Sequence, residues 1–237
     1  MLQVAMIFAA GRGERMRPLT DKTPKPLLEV AGKPLIVWQI EAIASAGIAH
    51  IVINHAWLGE QIAAHLGDGS QFGVTLHYSA ETSALETAGG IVKALPTLQA
   101  HSNSPIFLAV SGDIYTDYNY AGLHAKAAEM ARMNEPRMHL VMVENPDFHP
   151  NGDFVLNGNQ LHLAGHSNGT ALTFGNIGLY DMRQFTDLPL GEKIPMSPYY
   201  RHNIEHGWAS GEYFNGTWEN VGTPEQLNQL NHHLSTT

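Results

Sequence analysis

Apolar runs of strand length alternate with stretches of helical period through the first half of the chain. Val4 to Ala9 is a continuous apolar run that predicts a buried strand. Leu35 to Ala46 places Ile36, Ile40, Ile43 and Ala44 on one helical face and is followed by Gly47, a residue suited to closing a helix. Ile51 to Asn54 predicts a second strand, Leu58 to Leu66 a second helix ended by Gly67-Asp68-Gly69, and Val74 to Tyr78 a third strand by its alternation. A short helix is expected over Gly90 to Leu95, stopped by Pro96. Ile106 to Val110 reads as a strand buried on both faces, delivering Gly112-Asp113 at its carboxyl end. This alternation predicts βα crossovers and a mainly parallel central sheet flanked by helices, an α/β fold. The second half changes texture. Val141 to Val143, Phe154 to Leu156, Gln160 to Leu163 and Thr173 to Tyr180 are short and turn-separated, predicting a smaller antiparallel or mixed extension. Pro198 to His206 and Pro224 to Leu234 predict helices with proline in the first turn. No repeat, low-complexity tract or linker interrupts the pattern, so a single domain over residues 1–237 is expected.

Composition narrows the function classes. With 13 Lys+Arg against 22 Asp+Glu the formal charge is −9, which excludes a general nucleic-acid coat. The absence of cysteine excludes disulfides, Cys-based zinc sites and a thiol nucleophile. Met1 to Ala10 is apolar but lacks a basic flank, and no run approaches the ~20 apolar residues needed to span a bilayer, so a cytoplasmic location without membrane insertion is expected. The basic residues are unevenly spread: Arg12, Arg15, Arg17, Lys22, Lys25 and Lys33 place six of the 13 between positions 12 and 33.

That cationic segment holds the first candidate chemistry. In Gly11-Arg12-Gly13-Glu14-Arg15 the glycines allow backbone N–H groups to approach a phosphate, and the arginines can grip its oxygens. Met16 stands where a dinucleotide fingerprint has its third glycine, and no Gly-Lys-Ser/Thr follows to make a P-loop. Pro24-Lys25-Pro26 restricts the backbone on both sides of a lysine, giving its ammonium a defined direction. Leu85 to Gly90 is a second glycine-containing loop opening a helix. Asp113 at a strand terminus is a hard oxygen ligand for Mg²⁺. His202-Asn203-Ile204-Glu205-His206 matches a zinc-protease string, but with 14 histidines in the chain a chance pair four apart is unsurprising.

Taken in order, the Gly11 loop with Arg15, Pro24-Lys25-Pro26, Leu85 to Gly90, Gly112-Asp113 and Trp218-Glu219-Asn220-Val221-Gly222-Thr223 resemble the sugar-1-phosphate nucleotidyltransferase family. Within it, Val52 to Gly59 and Leu66 to Ser70 look like the branch acting on N-acetylmuramate-1-phosphate. The resemblance implies a Rossmann-like nucleotidyltransferase fold and transfer of a uridylyl group from UTP to a sugar-1-phosphate with pyrophosphate leaving. It also implies roles for residues: Gly11, Arg12 and Gly13 around the triphosphate, Arg15 and Lys25 neutralising it, and Glu81, Leu85, Thr87 and Gly89 at the nucleotide. Gly152 and Asn176 fall where related enzymes contact the amino sugar, and Asp113 with Asn220 would hold Mg²⁺.

Two departures from the family pattern stand out. Asn220 replaces an Asp that usually supplies the second metal ligand, and no Lys or Arg occurs between Arg137 and Arg183 to hold the sugar phosphate, leaving Arg15 or the metal for that task. Glucose, N-acetylglucosamine or mannose phosphates, or phosphocholine with CTP, are the alternative substrates, and a non-catalytic nucleotide-sugar sensor is the alternative of another class.

Overall fold

The computed structural model describes residues 2–235, so Met1 of the opening apolar run lies outside it. The chain runs β1 (Val4–Ala9), β2 (Glu29–Val30), β3 (Lys33–Pro34), α1 (Leu35–Ser45), β4 (His50–His55), α2 (Gly59–Leu66), β5 (Thr75–Ala80), α3 (Glu86–Ala100), β6 (Ile106–Ser111) and β7 (Ile114–Thr116). It continues through α4 (Leu123–Met130), β8 (Met138–Val143), β9 (Phe154–Asn157), β10 (Gln160–His162), β11 (Thr170–Asp181), α5 (Ser197–Glu205), β12 (Ala209–Tyr213), β13 (Trp218–Asn220) and α6 (Pro224–Ser235).

One nine-stranded sheet carries both halves, in the order β5-β4-β1-β6-β11-β8-β12-β10-β9. The first four strands are parallel, as the βα alternation predicts, and β11 enters antiparallel to β6 to begin the mixed extension. β1, β4 and β6 are apolar on both sides because helices cover both faces, whereas the edge strand β5 is only partly buried. Along β1, Ala5 and Ile7 face a layer with Ile36, Ile40 and Ile43 of α1, whereas Val4 and Met6 face a layer with Ala88, Ile91 and Leu98 of α3. Full burial of each of the three α1 isoleucines contributes roughly 1.5–3 kcal/mol. A third, smaller cluster joins Met16, Leu28 and Leu35 to Val221, Leu227 and Leu230, so α6 packs beneath the loop that follows β1.

Besides the short strands β2, β3 and β7, the structure departs from the sequence pattern in three larger elements. The helix expected over Gly90 to Leu95 starts earlier, at Glu86, and runs through Pro96 to Ala100. Pro96 itself is exposed, so its ring displaces no core side chain. β12, with the sequence Ala-Ser-Gly-Glu-Tyr, has no apolar run to announce it and is made a strand by its parallel pairing with β8. α4 likewise has only a weak sequence signal, because its apolar face is only Leu123, Ala127 and Met130. No helix among the described residues is long and apolar enough to cross a membrane.

Candidate active site

β1 and β6 lie side by side in parallel, with Phe8 opposite Ser111, so the loops after their carboxyl ends face one cleft. This cleft, about 360 Å³ in volume, is lined by Gly11, Gly13, Arg15, Lys25, Asp113 and Gly222. Gly13 has φ 66°, and a Cβ there would sit 3.0 Å from the Thr20 methyl and 3.1 Å from Lys25 Cβ. Glycine is therefore required both for the left-handed turn and for the approach of the lysine. The loop is pinned from outside: Thr20 Oγ1 donates to the Gly13 carbonyl at 2.8 Å, and Trp57 Nε1 donates to the Thr20 carbonyl at 3.0 Å. Arg12 lies over the Trp57 ring, its guanidinium carbon 4.5 Å from the centroid, and does not line the cleft.

Lys25 is 8% exposed, and its Nζ donates to Asp113 Oδ2 at 2.5 Å. Pro24 holds extended backbone before the lysine and Pro26 follows it inside a single 3-10 turn, so the ammonium has little freedom to leave the carboxylate. Asn220 arrives from 107 positions later because β13 pairs antiparallel with β7: Asn220 stands opposite Ile114, and the Val221 N–H donates to the Asp113 carbonyl at 3.3 Å. Asp113, just before β7, lines this cleft, and Asn220 of β13 lines a second one; a carboxylate and an amide oxygen are the hard donors a Mg²⁺-type cation takes. The donor chemistry of these two residues fits a hard divalent cation.

The loop before α3 is held by a buried polar chain. Asn54 Oδ1 accepts from the Ala9 N–H at 3.0 Å, and Asn54 Nδ2 donates to Glu81 Oε1 at 2.7 Å. Glu81 Oε2 accepts from the Leu85 N–H at 2.9 Å. Both oxygens of Glu81 thus face protein donors, and the residue ties the loop after β5 to the end of β1. The Gly89 N–H donates to the Ile194 carbonyl at 3.2 Å, and a Cβ at Gly89 would lie 2.4 Å from the Glu192 carbonyl oxygen. Gly89 therefore admits the 192–194 segment against α3. Leu85 is buried, and Thr87 alone of this set lines a narrow recess, with Phe8, Ser111, Asn176 and Tyr200.

A second, larger cleft of about 740 Å³ is lined by Asp153, Phe154, Asn176, Tyr200, Arg201 and Asn220, among others. Asn176 adopts φ 57° at the irregularity between Phe174 and Gly178, where β11 shifts register against β8. That bulge turns its amide into the cleft. Gly152 does not line the cleft; it makes the turn, its N–H donating to the His149 carbonyl at 3.2 Å, that presents Asp153 and Phe154.

The cationic segment does not act as a block. Arg17 pairs with Asp21 at 3.3 Å, and Lys33 pairs with Glu41 while resting 3.9 Å from the Trp38 ring centroid. Of the six basic residues, Arg15 and Lys25 line the phosphate-sized cleft. A cation in the larger cleft comes instead from Arg201 on α5, which stands next to the histidines of the zinc-protease string and carries no motif of its own. Those histidines form no zinc-protease site: His206 Nδ1 contacts the His202 carbonyl at 2.8 Å, and both rings pack against Trp208.

Residues 4–149 match the nucleotidyl transferase family. The chain is 45% identical to an N-acetylmuramate alpha-1-phosphate uridylyltransferase of Neisseria meningitidis, over 95% of each chain. It is 31% identical to the protein of the same name from Caulobacter vibrioides, over 94% of this chain and 93% of that one. Among solved structures, one from Bacillus anthracis assigned as a glucose-1-phosphate thymidylyltransferase superposes with a TM-score of 0.81, covering 98% of this chain and 95% of that one at 18% identity. HddC from Yersinia pseudotuberculosis complexed with GMP-PN gives 0.76 at 17% identity, covering 99% of this chain and all of that one. With the Gly11 loop, the Lys25–Asp113 pair and the β7–β13 ribbon assembled at the ends of the parallel strands, and with this match over most of its length, the chain belongs to the nucleotidyl transferase family.

Proposed function

We propose that this chain transfers the uridylyl group of UTP to N-acetylmuramate-1-phosphate, giving the UDP-sugar and pyrophosphate with Mg²⁺ as cofactor. The observation that carries the reading is the placement of Lys25 and Asp113 under the Gly11 loop, with Asn220 bordering the larger cleft next to it. The two volumes, one lined by a glycine loop and cations and the other by aromatic and amide side chains, suit a triphosphate and a sugar held end to end. The 45% identity to the Neisseria protein supports the choice of nucleotide and sugar.

The chemistry asks little of the protein in proton transfer. A sugar phosphate has its second pKa near ~6, so its oxygen is mostly ionised at neutral pH and needs no base. What remains is alignment and charge. The Gly11 and Gly13 backbone, Arg15 and Lys25 bind and neutralise the triphosphate, and the buried lysine stays aimed because prolines flank it. Mg²⁺, held by Asp113 and Asn220, would add charge neutralisation at the phosphates. N-acetylmuramate differs from N-acetylglucosamine by a lactyl ether bearing a carboxylate, and Arg201 is the cation in the sugar-sized cleft that can meet it.

The test is pyrophosphate release measured over a panel of nucleoside triphosphates and phosphorylated acceptors. UTP with N-acetylmuramate-1-phosphate should give the highest kcat/KM, and Lys25→Ala should lower it ~10²- to 10³-fold while staying folded. Arg201→Ala should raise KM for N-acetylmuramate-1-phosphate and leave N-acetylglucosamine-1-phosphate unaffected. Near-normal turnover in Lys25→Ala, or UDP-sugar binding without any Mg²⁺-dependent turnover, would overturn the proposal.

A further inference from the structure

At the end of the sheet opposite both clefts, three imidazoles from separate elements meet. His50 opens β4, His77 is the third residue of β5, and His101 follows the last turn of α3. The parallel register pairs His50 with Thr75 and Val52 with His77, so His50 and His77 stand on one face as diagonal neighbours. α3 packs over that face and carries His101 to them. One ring nitrogen from each histidine lies within 4.8 Å of the other two, and His50 Nδ1 is 3.3 Å from His77 Nε2. That last contact is a ring-to-ring hydrogen bond, and its length is also the one a shared metal sets. Two nitrogens bound to a tetrahedral zinc at ~2.05 Å each stand about 3.3 Å apart.

We infer that His50, His77 and His101 form a binding site for a transition-metal dication of the zinc type, with solvent in its fourth position, separate from the cation site at Asp113. Three imidazole nitrogens suit zinc, copper or nickel and do not suit Mg²⁺, which takes hard oxygen donors. All three histidines are half-buried, so the site keeps an open side. Burial, and secondly repulsion from His101, holds the His50 and His77 rings below the ordinary imidazole pKa, with His50 adding a further repulsion at His77. Their lone pairs are accordingly available at neutral pH. The His101 ring now stacks on the other two, with centroids 4.5 and 4.1 Å away, and full coordination turns it edge-on by a change of rotamer. β4 spans roughly 17 Å, which separates this site from the Asn54–Glu81 network at the other end of the strand. A metal here would fasten the far end of α3, the helix whose near end carries Leu85, Thr87 and Gly89.

The experiment uses the metal-stripped full-length chain, titrated with zinc alone in excess Mg²⁺ by calorimetry, with cobalt substitution to read coordination from its visible spectrum. The expected result is one zinc per chain, a tetrahedral cobalt spectrum and a Tm that rises with zinc concentration. His77→Gln and His101→Gln should each weaken zinc binding at least about tenfold and abolish the cobalt spectrum. The His202→Gln/His206→Gln double variant should bind as the parent does. Circular dichroism and Mg²⁺-dependent turnover confirm that each variant is folded, and His101→Gln, outside any strand, decides the matter if His77→Gln unfolds. Absence of stoichiometric zinc, or binding unchanged in His101→Gln, or binding lost in the His202/His206 variant, would overturn the inference.

Discussion

Replacing Glu81 by glutamine separates two roles for this residue: a contact to the nucleotide, which the family pattern implies, and the internal brace that the geometry displays. Glu81 is 6% exposed, and its oxygens accept from Asn54 Nδ2 at 2.7 Å and from the Leu85 N–H at 2.9 Å. Glutamine keeps one acceptor and turns the other into a donor, so one of the two N–H groups faces an NH₂. Asn54 cannot relieve the conflict by flipping, because its Oδ1 already accepts from the Ala9 N–H at 3.0 Å. A hydrogen bond to a charged group is worth ~1.5–3 kcal/mol, and the stranded buried donor adds to the loss, so about 2–4 kcal/mol is expected. With an m-value near ~3 kcal/mol/M for a chain of this size, the urea midpoint should fall by roughly 1 M. UTP affinity, measured by calorimetry under conditions where the variant is fully folded, should fall only as far as loosening of the Leu85 loop requires. An unchanged midpoint together with lost UTP binding would refute the brace and place the carboxylate on the nucleotide.

Three further outcomes follow from the same geometry. Gly89→Ala drives a Cβ against the Glu192 carbonyl oxygen at 2.4 Å, backbone that cannot step aside, and should cost ~1–3 kcal/mol by thermal denaturation while raising KM for UTP. Asn220→Asp adds a negative charge at the proposed metal site, and the Mg²⁺ concentration for half-maximal turnover should drop several-fold; an unchanged requirement would remove Asn220 from that site. Glu212 is held below the usual carboxylate range, chiefly by its hydrogen bond to His139 and then by Tyr118. Its stabilising contribution is therefore present above the unfolded value near ~4.3 and is lost as pH falls through the lower folded value. Glu212→Gln should consequently show a smaller drop in urea midpoint between about pH 7 and about pH 3 than the parent does. An equal drop would contradict that assignment.

Local pattern in the sequence was sufficient for the parallel strands, for α1 and α2, for the middle of α3 and for the loops at the strands' carboxyl ends. Continuous apolar runs and 3.6-residue periodicity are properties of neighbouring residues, and burial on both faces leaves them no alternative. The same holds for the Gly11 loop, for Lys25 between prolines and for Asp113 after β6, each positioned by the strand or turn next to it. Tertiary structure alone decided which way side chains point once distant segments meet. It sent Arg12 onto Trp57 and Lys33 onto Trp38, kept Arg15 and Lys25 at the cleft, and turned Glu81 inward to Asn54 and Leu85. It made Ala209–Tyr213 a strand through β8, brought Arg201 into the larger cleft, and gathered His50, His77 and His101 from separate elements. None of these carries a local signal, because a side chain's partners across a sheet are set by register and layer packing, which one segment of sequence does not contain.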